Sequence, residues 1–190
     1  MKIDWDFLGD ITITNGEISL SGHQKNGSMR ATTRFDISRG FELECDLYFK
    51  NGFNEGSAIF DIDCPLQKYY ISSIIFGGIY GENYLMSSTY INDNLKTVQS
   101  DFNYLDDKWH KFYVSYNETL MEVYVDGNKI SEIENPGRFE SPARLSFGHN
   151  DADYSQEPLA ENRILFRNVY INKEILQYPD HPEYQMDEIW

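Results

Sequence analysis

The sequence predicts an all-β protein built as a sandwich or barrel of short strands, and three observations point that way. A nine-residue stretch alternates apolar and polar side chains with period two, several turns carry the residues that tight hairpins need, and no segment sustains a helical period of 3.6 with caps at its ends.

The alternation is clearest at 41–49, where Phe41, Leu43, Cys45, Leu47 and Phe49 fall on one face and Glu42, Glu44, Asp46 and Tyr48 on the other. A Gly/Asn-rich stretch at 51–56 follows, then a second strand at 58–64. Pairing these two as a hairpin with positions summing to ~109 sets Phe49 against Phe60, Leu47 against Ile62 and Cys45 against Cys64, with both inward faces aligned. On this reading the two cysteines are neighbours on adjacent strands, either as buried free thiols or as a cross-strand disulfide. The pair Asn15-Gly16 suits a type I′ turn, where both central residues take positive φ, and sets Ile13 against Ile18 and Ile11 against Leu20. Asp126-Gly127 is a second turn of this kind. Further strand-like runs lie at 69–76, 84–91, 109–116, 120–125, 143–147 and 163–171. The acidic, Pro-bearing stretch 176–190 is expected as an extended tail, with Trp190 packing back onto the body.

Composition limits what the protein does. The chain has 190 residues, 41% hydrophobic and 25% charged, which fits one globular domain. Its formal net charge of -15 repels phosphate backbones and anionic surfaces, so nucleic acid is excluded as a partner, and polyanionic sugars are disfavoured unless a local basic patch or cation reverses the sign. No apolar run reaches the ~18 residues of a membrane-spanning helix, so no membrane insertion is expected. The opening residues Met1-Lys-Ile-Asp-Trp-Asp6 carry no secretory signal pattern, which suggests either a cytoplasmic protein or part of a processed, secreted assembly. Sequons at Asn26 and Asn117 matter only in a secreted, glycosylating setting.

The run from Asp106 to Gly127 is the most specific. It reads as a long hairpin, with Phe112, Val114 and Tyr116 inward on one strand and Met121, Val123 and Val125 on the next. Trp109-His110 opens the first strand and Tyr124-Val-Asp-Gly127 closes the second. This combination resembles the laminin-G-like branch of the concanavalin A-like lectin/glucanase superfamily. The early strand from Arg39 to Leu47 and the pair 145–150 and 164–171 extend the resemblance, although Arg167-Asn168 stands where closing strands of the family often carry Gly. The resemblance implies a jelly roll of two stacked antiparallel sheets over 1–175, and it implies no particular ligand, since this fold hosts lectins, glycosidases and adhesion domains alike.

Three sets of residues are candidates for chemistry. Glu42, Glu44 and Asp46 share one strand face, and laminarinase-type glucanases of the same superfamily use three alternating acids on a strand; here the order of acids differs and no Trp flanks them. Retaining hydrolysis needs two carboxyls about 5–5.5 Å apart. The loop Asn150-Asp-Ala-Asp-Tyr-Ser-Gln-Glu157 offers Asp151 and Asp153 as calcium ligands, or is simply a solvated acidic loop. Aromatic side chains, 15% of the chain, supply rings that stack on sugars: Tyr69, Tyr80 and Tyr84 along one Gly-interrupted stretch, with His149 and Tyr154 in the acidic loop. Trp109 is expected as a buried packing residue and His110 as a hydrogen-bonding one. The expectation is a non-catalytic carbohydrate-binding, lectin-like module whose partner is a carbohydrate or glycoprotein. A glycan-active hydrolase and a protein-interaction or adhesion domain are the two alternatives.

Overall fold

The computed structural model describes residues 3–8, 11–21, 28–50, 57–64, 69–76, 84–104, 106–140, 142–148, 163–178 and 181–184. In chain order the strands are β1 (Trp5–Leu8), β2 (Ile11–Thr14), β3 (Glu17–Ser21), β4 (Ser28–Ala31), β5 (Phe41–Lys50), β6 (Ser57–Cys64), β7 (Tyr69–Phe76) and β8 (Tyr84–Ile91). They continue with β9 (Asn94–Asp101), β10 (Trp109–Tyr116), β11 (Leu120–Val125), β12 (Asn128–Glu134), β13 (Arg144–Phe147), β14 (Arg163–Ile171), β15 (Glu174–Ile175) and β16 (His181–Tyr184). They form two antiparallel sheets, one of seven strands in the order β1-β4-β13-β6-β7-β8-β9 and one of nine in the order β12-β11-β10-β5-β14-β3-β2-β16, with β15 on β14. The all-β sandwich read from the sequence is what the chain forms. No helix among the described residues is long and apolar enough to cross a membrane.

Alternation builds the core. Every second residue of β5 is buried, and the same holds along β10, β11 and the first half of β14. Their inward side chains meet those of the other sheet: Phe41 lies edge-on to Phe60 at 6.4 Å, Phe60 to Phe112 at 6.1 Å and Phe147 to Phe166 at 5.2 Å. Both hairpin turns have the expected geometry. Asn15 and Gly16 have φ of 51° and 78°, Asp126 and Gly127 the same pair of values, and Ile13 faces Ile18 and Ile11 faces Leu20. Two more turns with both residues at positive φ, Asn92-Asp93 and Asn172-Lys173, join β8 to β9 and β14 to β15 without any glycine.

The pairing proposed for the two cysteine strands is wrong. β5 lies in the nine-stranded sheet between β10 and β14, whereas β6 lies in the seven-stranded sheet between β13 and β7. Cys45 is opposite Phe112, and Cys64 is opposite Tyr69. The inward faces of the two strands do meet, but across the sandwich rather than side by side. Alternation tells which face points to the core and is silent on whether the facing strand is a hydrogen-bonded neighbour or the opposite layer. Both cysteines are free thiols exposed by 1% each. Burial pushes the Cys45 thiol well above its ordinary range, with Asp46 and Glu44 adding to the effect. Neither thiol is expected to react with a thiol-specific dye in the native protein at about pH 8, and both should react once the chain is unfolded. Native-state labelling of one equivalent would show that the interior opens at that end.

Part of the stretch expected as an extended tail belongs to the body. Leu176 is buried, the Tyr178 hydroxyl donates to the Gly16 carbonyl at 2.9 Å, and β16 pairs with β2 through His181 opposite Ile13 and Tyr184 opposite Ile11. Trp190 lies outside the described residues.

At the other side of the sandwich the last strands of the two sheets, β9 and β12, approach one another. Lys96 projects from β9 and its ammonium donates to the main-chain carbonyls of Glu134 and Asn135 at 2.5 and 2.9 Å. A lysine on an edge strand is a usual defence against stray pairing, and here it also ties one sheet to the other.

Candidate functional site

Because the inward positions of β5, β10 and β14 are apolar, the alternate positions of those strands form one continuous outer surface on the nine-stranded sheet. Strand register sorts it into cross-strand rows. In one, Trp109 of β10, Tyr48 of β5, Leu165 of β14 and Ser19 of β3 stand side by side. The next holds Lys111, Asp46, Arg167 and Glu17. A third holds Tyr124, Tyr113, Glu44 and Tyr170. A row of alternating charges is thus flanked by aromatic side chains on both sides.

The centre of this surface is Arg167. Its guanidinium carbon lies 3.9 Å over the Trp109 ring, and its Nε donates to Asp46 Oδ2 at 3.2 Å. The same carboxylate oxygen accepts from the Asn168 side-chain amide at 2.8 Å. Two consecutive residues reach one carboxylate because β14 bulges here. The register against β5 jumps between Arg167 and Tyr170, and Asn168 takes a φ of 51°. Asn takes that conformation more readily than most residues that carry a side chain, which suits Asn168 to the bulge. Trp109 is half-buried, its other neighbour being Tyr48 at 5.6 Å between ring centroids. The expectation that Trp109 is a buried core residue is therefore corrected: it occupies the outer face, because position 109 is out of phase with the inward residues His110, Phe112 and Val114. Tyr48 in turn donates a short hydrogen bond to Asp107, and that bond raises the phenol above its ordinary range.

Beside Arg167 the surface dips into a cleft of about 460 Å³ between the β2–β3 turn and the segment after β14. Glu17, Arg167 and Asn168 supply polar groups, while Ile175, exposed by 49%, and Tyr178 supply apolar ones. Burial holds the Tyr178 phenol up at about 12, so it is a neutral donor at any ordinary pH. A second cleft of about 410 Å³, lined by Arg39, Glu42, Ser115, Asn117, Asn172 and Lys173, opens at the far end of the same surface.

The three acids of β5 do share this outer face, and each has a cation of its own. Glu42 stands 3.9 Å from the Lys173 ammonium, Glu44 2.6 Å from that of Lys111, and Asp46 pairs with Arg167. Successive outward residues of a strand are about 7 Å apart, so the backbone does not itself bring two of them to the separation of a retaining pair.

Next to Trp109, His110 points the other way and is buried. Its Nδ1 lies 2.8 Å from Asp126 Oδ2 and its Nε2 lies 2.9 Å from Asp106 Oδ1, with the Phe102 ring edge-on at 5.3 Å. It joins the connection entering β10 to the β11–β12 turn, and Asp126 also accepts from the Lys111 amide at 2.8 Å.

The aromatics chosen from the sequence fall elsewhere. Tyr84 opens β8 half-buried, and Tyr69 opens β7 opposite Cys64, so both belong to the seven-stranded sheet, away from Arg167. Tyr80, His149, Asp151, Asp153 and Tyr154 lie outside the described residues. Among the described residues no three of His, Cys, Asp or Glu converge as a metal site. Asp63 on β6 is gripped by Arg144 through two bonds of 2.9 Å each. Arg167, Lys111, Tyr113 and Tyr170 were not singled out from the sequence. Their only local signal is the departure from glycine at 167–168.

Comparisons with models of known families and with curated proteins give no match. Among solved structures, the carbohydrate recognition domain of Emp47p is similar with a TM-score of 0.60 and 15% identity, over 90% of this chain and 89% of that one. The binding domain of botulinum neurotoxin DC, solved with rat synaptotagmin II, gives 0.61 and 15%, over 92% of this chain. A botulinum neurotoxin type C structure, described as showing cell entry dependent on two ganglioside molecules, gives 0.62 and 16%. This chain spans only 44% of the length of either toxin structure. At these identities the likeness is one of fold, a lectin-like β-sandwich.

Proposed function

We propose that this chain is a non-catalytic carbohydrate-binding module that holds its ligand on the outer face of the nine-stranded sheet, in the cleft beside Arg167. The observation that carries the reading is the guanidinium held over the Trp109 ring and tied to Asp46, at the edge of a cleft lined by both polar and apolar residues. Sugars are recognised by that mixture, with planar donors and carboxylates for the hydroxyls and apolar side chains for the C–H faces. Support also comes from the similarity to the Emp47p carbohydrate recognition domain over most of both chains. The Trp109-His110 and Tyr124-Val125-Asp126-Gly127 motifs favour the laminin-G-like branch.

The hydrolase alternative is the weaker one. An acid catalyst at neutral pH needs a carboxyl whose proton is held by burial or by a close like charge, and Glu42, Glu44 and Asp46 each have a cation beside them instead. The adhesion alternative becomes the same reading if the ligand is the glycan of a glycoprotein.

The test is a glycan array on the purified chain, run with and without calcium, followed by titration of the best ligand into Trp109→Ala. Removing the pedestal of Arg167 should weaken binding about tenfold or more, equivalent to ~1.4 kcal/mol. The fold should survive with a loss of about 1–2 kcal/mol, less than for a fully buried ring. Calcium-dependent binding supports Asp151 and Asp153 as ligands of a bound ion. Binding that survives Trp109→Ala but is lost in Tyr84→Ala moves the site to the other sheet. Release of reducing ends from a β-glucan, abolished in Glu44→Gln, overturns the non-catalytic reading.

A further inference from the structure

Resting on the carbohydrate reading above, we infer that the Arg167–Asp46 pair is a subsite for two neighbouring hydroxyls of an uncharged sugar, and that it discriminates against sugars bearing a carboxylate. A guanidinium has five N–H donors, and Arg167 commits its Nε–H to Asp46. Its side chain is 43% exposed at the edge of the cleft, with the guanidinium carbon over the Trp109 ring. Among the described residues, Asp46 accepts from both Arg167 and Asn168 through one oxygen, Oδ2, which leaves Oδ1 as an acceptor. A rigid donor fork therefore stands beside an acceptor. Each hydroxyl of a sugar both donates and accepts, so a vicinal pair can take a bond from the fork and return one to the carboxylate.

A ligand carboxylate only accepts. It satisfies the fork and then meets the charges around it. Arg167 stands between Asp46 on one neighbouring strand and Glu17 on the other. The remaining cation of the row, Lys111, has its ammonium on Glu44 at 2.6 Å. Lys111 and Arg167 against Asp46, Glu44 and Glu17 leave this patch net negative, within a chain of formal charge -15. The guanidinium is thus already neutralised, and its value to a ligand is its geometry. Ile175 and Tyr178 on the cleft wall supply the contact for an uncharged C–H face.

The experiment is titration with matched pairs, lactose against sialyllactose and methyl glucoside against methyl glucuronide. The neutral member of a pair should bind about tenfold or more tightly than the charged one. Its affinity should change by less than about twofold between roughly 50 and 500 mM salt, because no ion pair forms with the ligand. Arg167→Lys keeps the charge but loses the planar fork, and should weaken the neutral sugar about tenfold with an unchanged circular dichroism spectrum. Asp46→Asn should narrow the gap between the two members of a pair. In the wild type, the neutral sugar should also shift the NMR resonances of Ile175 and Tyr178, a readout that needs no variant. Equal or tighter binding of the charged sugars, or full binding by Arg167→Lys, overturns this inference while leaving carbohydrate binding intact. Absence of binding to every sugar on the array as well as to these pairs overturns the carbohydrate reading itself.

Discussion

Gly40→Ala is expected to cost on the order of 3 kcal/mol, the sum of a strained backbone and an overlap that nothing can relieve cheaply. Gly40 leads into β5 with a φ of 102°, a conformation that side chains rarely adopt. A Cβ placed there would overlap the main-chain carbonyl oxygen of Tyr116, the last residue of β10. The obstacle is backbone in the middle of the nine-stranded sheet, so relief requires β5 and β10 to part. Tyr116 is itself fixed, stacked on Phe41 at 5.6 Å and donating its hydroxyl to the Gly137 carbonyl at 2.6 Å. In a domain of this size the thermal midpoint should fall by roughly 10 °C, measured by circular dichroism. A fall of only a degree or two would mean that the entry to β5 is looser than this geometry.

His110→Ala is the second large effect, at roughly 3 kcal/mol from two hydrogen bonds to charged acceptors and the packing against Phe102. Deleting the imidazole leaves Asp106 and Asp126 without the donor between them. It also unties two loops that the sheet alone does not join. The pH dependence separates this role from simple packing. Lys108 first, and His110 after it, hold the Asp106 carboxyl below the usual carboxylate range. A lowered folded value means that the stabilisation is present above the unfolded value of about 4 and is lost as pH falls through the lower folded one. In the variant the acid limb of the stability profile should therefore be shallower. Urea melts of both proteins between about pH 6 and pH 3 give the comparison, and parallel acid limbs would reduce His110 to a space-filling residue.

What could be read in the sequence follows from how far apart the interacting residues are. The inward face of β5 and the turns at Asn15-Gly16 and Asp126-Gly127 depend on neighbours within a few positions, and they appear as read. β9 was missed because its inward positions include Lys96 and Ser100, which break the apolar alternation, and because its turn, Asn92-Asp93, has no glycine to announce it. The pairing of Cys45 with Cys64 failed for another reason: two strands with matching inward faces fit equally well beside each other or across a core. The candidate site lies beyond local reading altogether. Glu17, Asp46, Lys111 and Arg167 come from four strands well separated along the chain, and only the register of the sheet lines them up.

The Lys96 ammonium has a consequence for how copies of this chain behave towards one another. β9 and β12 are the ends of their respective sheets among the described residues, and they are different surfaces. If the charge on Lys96 were removed, by acetylation or by substitution, the hold on the Glu134 and Asn135 carbonyls would go with it. The edges β9 and β12 would then be less well guarded against pairing with a strand of another copy. Pairing between two unlike edges is head to tail, a geometry that leads to rings or open filaments rather than to an isologous pair.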